Sequence, residues 1–182
     1  MNATNFLISL VDACGGTIQG RTMFQKRAYF VTLLTDLQLD LGFDAHFYGP
    51  YSSVVDNTIT QLKNLSFIQE SATPYGVDDT GFEMRRYDYK LTPDGQRIAA
   101  RLRETPEYAV IRNAIGKLAQ AGNVNYMELS IAAKAFFILK KRKEGMSKQE
   151  IIREARKFEW NIHPASLESA VSFLERLDML RR

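Results

Sequence analysis

The chain has 182 residues, of which 45% are hydrophobic, so it can bury one large core or two small ones packed together. No apolar run approaches the roughly 18 residues that a membrane-spanning helix needs, and the first residues lack the pattern of a secretion signal. One cysteine and two histidines exclude an internal disulfide and give no zinc-ligand spacing. We therefore expect a soluble, cytoplasmic protein with no metal or other cofactor.

The net charge of +3 is unevenly distributed along the chain. Residues 1–131 hold 12 Lys and Arg against 14 Asp and Glu, whereas residues 132–182 hold 12 against 7. A basic C-terminal part is typical of a surface that meets nucleic acid or an acidic protein, and equally of a solvated helical face. Charge alone leaves these interpretations open.

Two helices are predicted in the first part of the chain. Apolar residues at helical spacing in segment 6–11 predict a short first helix. The pattern Thr22-x-x-Gln25 predicts a capping box that opens the second helix. This helix is expected to continue to about Leu41, because Gly42 is a stop signal.

An aromatic elbow, residues 46–51, separates the second helix from a third. Pro50 bars a helix just before it, and Ser53-x-x-Asp56 predicts the cap of the third helix. The apolar residues that this helix directs inward are Val55, Ile59 and Leu62.

A two-stranded wing is predicted after the third helix. Segments 66–70 and 86–91 alternate apolar and polar residues around a turn rich in Gly and Asp, as paired strands do. Thr92 and Pro93 then start a new helix. A helix, an elbow, a second helix and a wing are the element order of a winged-helix domain.

Cap signals predict four more helices beyond residue 104. They begin at Thr105, Asn125, Ser147 and Pro164. We thus predict a mainly α fold with a small β wing, in which a winged-helix domain over residues 1–104 packs against a C-terminal helical domain over residues 105–182.

The C-terminal part also contains a faint repeat of the N-terminal part. Shifted by 112 positions, the apolar residues of segment 55–68 align with those of segment 167–180, and both segments are a helix that ends in an apolar pair. The repeat favours a second helix-turn-helix-like half. A chance similarity of two amphipathic helices is the alternative.

Two sequence motifs resemble those of a known family. They are Gly20-Arg21-Thr22-Met23-Phe24-Gln25-Lys26-Arg27-Ala28-Tyr29 and Phe47-Tyr48-Gly49-Pro50-Tyr51-Ser52. Together they resemble the YwgA-like family of bacterial and archaeal proteins over most of the chain, and more distantly the Panacea domain of SocA-type antitoxins. The family usually has Leu or Val where this chain has Arg27, which indicates a partly exposed helix face here.

The resemblance implies a presumed winged-helix regulator in the first case and toxin neutralisation by protein contact in the second. It implies no catalytic residue. The chain itself has no paired-carboxylate motif, phosphate loop or signature of a nucleophile with its base. We therefore expect a protein that is not an enzyme.

The third helix occupies the position that enters the major groove of DNA in helix-turn-helix proteins. Its plausible base readers are the polar residues Asn57, Thr58, Thr60, Gln61, Lys63 and Asn64. Lys63 is the one cation of this helix and is opposed by Asp56, which is little charge for holding phosphates.

Two other basic groups are candidate DNA contacts. Arg85 and Arg86 in the wing can follow the DNA backbone, although the acidic residues of segment 78–83 oppose them. The strongest basic run is Lys140, Lys141, Arg142 and Lys143, which we group with Lys134, Lys148, Arg153, Arg156 and Lys157. Trp160 is expected to pack in the C-terminal core.

The motif residues are interpreted mainly as structural. They are Gln25, Lys26, Tyr48, Gly49 and Pro50. The capping box explains Gln25, a solvated helix face explains Lys26, and the Gly-Pro turn positions the next helix. A ligand-binding elbow is the alternative.

The leading hypothesis is a non-enzymatic winged-helix protein that binds double-stranded DNA as a transcriptional regulator. The alternative is a protein-interaction module such as an antitoxin-like partner. We also expect a homodimer, because such regulators match two half-sites of DNA, with an interface on the helices between Thr92 and Ala121.

Overall fold

The computed structural model describes residues 1–77, 83–122, 125–142 and 145–180. They form eight helices and one three-stranded antiparallel sheet, which confirms the predicted mainly α fold with a small β wing. In chain order the elements are α1 Ala3–Ala13, β1 Thr17–Gln19, α2 Arg21–Leu34, α3 Ser53–Asn64, β2 Ile68–Val77, β3 Glu83–Leu91, α4 Pro93–Leu102, α5 Pro106–Ala121, α6 Tyr126–Lys140, α7 Lys148–Arg156 and α8 Pro164–Arg176. None of the described helices is long and apolar enough to cross a membrane.

The wing strands β2 and β3 pair as predicted, and a third strand joins them. β3 is central, with β2 on one side and the short strand β1 on the other. Ile68 lies opposite Leu91, and Thr17 lies opposite Lys90. Because β1 holds the chain just before α2 beside the base of the wing, the start of α2 and the wing share one surface.

The predicted start and end of α2 are wrong. The N-cap is Gly20, at φ 90°, and no side chain caps the helix, so Thr22 and Gln25 form no capping box. The helix ends at Leu34 rather than near Leu41, because Thr35 takes an extended conformation. Leu41 is instead buried in the core.

The other cap predictions hold with one shift. Asn125 and Glu128 form a complete capping box at α6, as do Ser147 and Glu150 at α7. The cap of α3 is Ser52 rather than the predicted Ser53, since its Oγ accepts the Val55 N–H at 3.0 Å.

One hydrophobic cluster contains buried residues from both predicted domains. Phe6 of α1 and Phe24 of α2 belong to it together with Ile111 of α5. The rings of Phe30 on α2 and Phe173 on α8 meet edge to face with centroids 5.9 Å apart. The boundary at residues 104 and 105 falls between α4 and α5 and stays a prediction.

The helices α3 and α8 end in the same turn, 112 positions apart. Ser66 and Asp178 take the left-handed conformation, at φ 58° and 55°. The following amides close matching bonds, Phe67 N–H to Leu62 O at 2.9 Å and Met179 N–H to Leu174 O at 3.0 Å. The same turn also ends α1 at Gly15 and α7 at Glu159, so it does not distinguish a repeat from a chance similarity, and the repeat stays a prediction.

Candidate functional site

The exposed side of α3 is polar but carries little charge. Asn57, Gln61 and Asn64 are exposed, so their amides can reach a ligand, whereas Thr58 is buried and the prediction that it reads bases is wrong. Val54 and Leu65 are exposed beside them. The exposed side of α3 therefore offers amide and apolar groups rather than cations.

Both ion pairs of α3 tie this helix to neighbouring elements. Lys63 pairs with Glu70 on β2, and Asp56 pairs with Arg21 at the start of α2. Lys63 is the one cation in the α3 sequence and is already held by a carboxylate. DNA phosphates would have to find their cations elsewhere on the described surface.

The wing arginines line a groove together with two arginines of α2. Arg85 and Arg86 of β3 and Arg21 and Arg27 of α2 border one groove of about 600 Å³. No carboxylate lines this arginine groove within the described part of the chain. Arg86 donates two hydrogen bonds, of 2.8 and 2.9 Å, to Asp88. The fold thus adds two arginines to the two that the sequence singled out.

Two tyrosines border the same groove. Tyr87 of β3 and Tyr126 at the start of α6 are partly exposed, at 42% and 39%. Tyrosine rings beside arginines provide stacking surfaces and cations together, a combination common in nucleic-acid sites and in protein interfaces. No local sequence motif predicts that these arginines and tyrosines share a groove, because the groove depends on the pairing of β1 with β3, which is distant in the chain.

The basic run after α6 is largely engaged by this protein's own residues. The Lys141 ammonium lies 4.5 Å from the Phe137 ring centroid and 5.2 Å from that of Phe158. Arg142 and Lys157 both pair with Glu154, at 3.2 and 2.7 Å. Lys140 is exposed, and Lys143 lies outside the described residues. Lys134, predicted with this group, lies instead at the elbow.

The two motifs that carry the family resemblance form one connected unit. The Gln25 side chain donates to Ser52 O and accepts from Ser52 N–H, each at 3.0 Å, although 27 positions separate them in the chain. The neighbouring Lys26 ammonium donates to Pro50 O at 2.7 Å. Helix α2 therefore holds the elbow by two side chains, and α3 begins directly after it.

Lys26 is buried, so the prediction that it lies on a solvated face is wrong. Its exposed fraction is 2%. Burial, reinforced by the charge of Lys134, lowers the pKa of Lys26 to about 7. Burial also lowers the pKa of Lys134, which is half-buried. Among the described residues no carboxylate pairs with Lys26.

Glycine is required at position 49, where the elbow meets both lysines. Gly49 has φ +95°, and a Cβ there would lie 2.9 Å from Lys134 Cγ and 3.5 Å from Lys26 Cε. The backbone turn is closed by a bond from Gly49 N–H to His46 O of 2.8 Å. Position 49 thus lets α2, the elbow and α6 approach closely.

The outer side of the elbow exposes two aromatic rings. Phe47 is 70% exposed and Tyr48 is 66% exposed. The inner side is anchored by Trp160, which is buried as predicted and donates its indole N–H to His46 O at 2.7 Å. The exposed rings therefore sit on a turn fixed from below.

No group of three His, Cys, Asp or Glu residues within the described ranges is placed to hold a metal ion. Cys14 is only partly buried, next to the arginine groove, and burial raises the pKa of its thiol.

Comparison with protein-family models finds no match, and comparison with curated proteins finds none either. The resemblance to YwgA-like proteins therefore rests on the two motifs alone.

Proposed function

We propose that this protein is a non-enzymatic winged-helix regulator that binds double-stranded DNA through the arginine groove. The observation that carries the proposal is the convergence of Arg21, Arg27, Arg85 and Arg86 on one groove. Arg21 pairs with Asp56 and Arg86 with Asp88, but neither carboxylate lines the groove. Arginine is the preferred ligand for phosphate oxygens, and phosphate contacts supply much of the affinity for DNA.

Helix α3 supplies the reading surface in this proposal. Asn57 and Gln61 are exposed on it, and their amides can pair with the edge of adenine in the major groove. Arg21 joins the two parts, since it lines the groove and pairs with Asp56 of α3. The groove then holds the backbone while α3 discriminates sequence.

The test is a duplex-binding titration at two salt concentrations. Arg27→Gln with Arg85→Gln should weaken binding and reduce the slope of log affinity against log salt by about 1–2, since each phosphate contact contributes about 0.9. Arg101→Gln with Arg112→Gln is the matched control, because it removes equal charge from exposed positions on α4 and α5 outside the groove. Absence of salt-dependent affinity for any duplex, including DNA upstream of the protein's own gene, would contradict the proposal.

A protein-interaction module is the second candidate, favoured by the exposed rings of Phe47 and Tyr48. Aromatic residues are enriched in protein interfaces, and rings fixed on a rigid turn lose little entropy on binding. The more distant resemblance to antitoxin-like Panacea domains points the same way. Phe47→Ser with Tyr48→Ser should then abolish a stoichiometric complex that co-purifies from the source cell, while Val54→Ser on α3 should leave that complex intact.

The proposed regulator is a homodimer. Val110 on α5 is a partly exposed apolar residue within the predicted interface. Light scattering should give the dimer mass for the native chain and a monomer-enriched mass for Val110→Glu, because a buried like-charge pair would form across a two-fold axis. A monomer mass for the native chain would refute this part.

A further inference from the structure

The elbow borders a half-open cavity with basic lining residues, which shares Arg21 and Thr22 with the arginine groove. The cavity has a volume of about 380 Å³ and lies between the start of α2 and the elbow. Its lining includes Arg21, Gln25 and Lys26 from α2 and His46, Tyr48 and Gly49 from the elbow. This volume lies within the range of small-molecule sites. No carboxylate lines it among the described residues.

Lys26 is the group that distinguishes this cavity from an ordinary surface cleft. Its ammonium has three N–H donors, and the described hydrogen bond to Pro50 O uses one of them. Only 2% of Lys26 is exposed to solvent. A buried cation held by a single carbonyl is expensive, and an anion within reach would lower that cost.

A second lysine increases the positive potential at the same place. Lys134 of α6 lies against Gly49, close enough for its charge to act on Lys26. Its own ammonium lies 5.6 Å from the centroid of the Trp160 ring. Among the described residues no ion pair joins either ammonium to a carboxylate, and this favours a bound anion.

We propose that the elbow cavity binds a small oxyanion, namely a carboxylate or phosphate group, with the Lys26 ammonium as its direct ligand. Lys134 supplies further positive charge nearby, whereas the charge of Arg21 is shared with Asp56. The site differs from the arginine groove in its key residue, because Lys26 does not line that groove. Loss of anion binding in Lys26→Met can therefore be distinguished from loss of DNA binding in the Arg27→Gln and Arg85→Gln variant.

The test uses the intact protein with inorganic phosphate and with acetate, each titrated at constant ionic strength against chloride. Amide resonances of Gly49 and its neighbours should shift saturably with at least one of the two anions. The pKa of Lys26, followed by its side-chain nitrogen resonance, should rise by about one unit or more, as expected for a charge partner within reach. The other titratable or charged groups near Lys26, to be followed in the same experiment, are Arg21, His46, Tyr48, Tyr51 and Lys134.

Two variants locate the site. Lys26→Met should lose about tenfold or more in anion affinity, and Lys117→Met, an exposed lysine on α5 outside the cavity, should not change it. Lys134→Met provides a second reading if Lys26→Met folds poorly, with a smaller loss expected. Saturation by phosphate alone would identify a phosphate ligand, and saturation by acetate a carboxylate.

Two results would overturn the proposal. One is the absence of a saturable shift with either anion in the native protein. The other is an equal affinity in native protein and in folded Lys26→Met, because the ammonium would then contribute nothing to binding.

Discussion

The lysines at the elbow and the lysines after α6 have opposite environments. Lys26 and Lys134 are withdrawn from solvent, and no carboxylate pairs with Lys26 among the described residues. Lys141 and Lys157 are exposed and are engaged by rings or by Glu154. In the sequence, the density of positive charge made the lysines after α6 the stronger candidates for binding an anionic ligand. Burial without a carboxylate partner points to the first group, and the proposed anion site rests on that burial.

The largest expected effect is on the pH dependence of stability at Lys26. The folded pKa of about 7 lies below the unfolded value of about 10.4, so folding must expel a proton between these values. The free energy of unfolding of the native chain should therefore rise between about pH 7 and about pH 10, on the order of 3 kcal/mol more than that of Lys26→Met. Urea unfolding at both pH values measures the difference, and parallel pH profiles would show that folding leaves the pKa of Lys26 at its usual value.

Gly49→Ala should be the next most damaging change to the elbow. Alanine must adopt φ +95° and its Cβ meets Lys134 Cγ at 2.9 Å, which together cost about 2–3 kcal/mol. Gly116→Ala on α5 is the matched control, because a Cβ there meets nothing within 4 Å and helix propensity favours alanine. Equal midpoints for the two variants in urea unfolding would argue against a close approach at position 49.

Gln25→Ala tests whether α2 really holds the elbow. It leaves the Ser52 N–H without its acceptor in a buried place, whereas Ser52 O still accepts from Asp56 N–H, so a loss of about 2 kcal/mol is expected. Gln149→Ala, an exposed residue on α7, should change stability by no more than about 0.5 kcal/mol. Hydrogen exchange should also show faster exchange at Ser52 in Gln25→Ala, and unchanged protection there would contradict the role assigned to Gln25.

The smallest effect is expected at the basic run after α6. Replacing Lys140, Lys141, Arg142 and Lys143 by Ala should change stability by no more than about 1 kcal/mol, because exposed ion pairs contribute little. Duplex affinity should fall less than in the Arg27→Gln and Arg85→Gln variant. A larger loss here would move the phosphate-binding surface from the arginine groove to the end of α6.

Local signals in the sequence predict most of the helices and the wing correctly. Asn125 with Glu128 and Ser147 with Glu150 specify helix starts by contacts within one turn, so the pattern is sufficient. The same kind of pattern fails at Thr22 and Gln25, where the Gln25 amide is used by Ser52 from across the fold. The predicted end of α2 is wrong for a similar reason, because the segment after Leu34 leaves the helix and packs Leu41 into the core.

The candidate sites depend still more on distant partners. Lys26 donates to Pro50 O of the elbow, and burial together with the charge of Lys134 on α6 lowers its pKa. The spacing of residues within α2 cannot predict either contact. The arginine groove likewise needs β1 to bring α2 beside the wing. Arg85 and Arg86 could be proposed from sequence because they lie in the wing, but Arg21 and Arg27 could not.

Trp160 anchors the elbow, so its fluorescence reports on the conformation of the elbow. The chain has a single tryptophan, so all of its indole emission comes from a buried ring bonded to His46 O with the Lys134 ammonium 5.6 Å from its centroid. Loosening of the elbow would expose this ring to water and move its emission to longer wavelength. Events at the elbow can therefore be timed by fluorescence in the unlabelled protein.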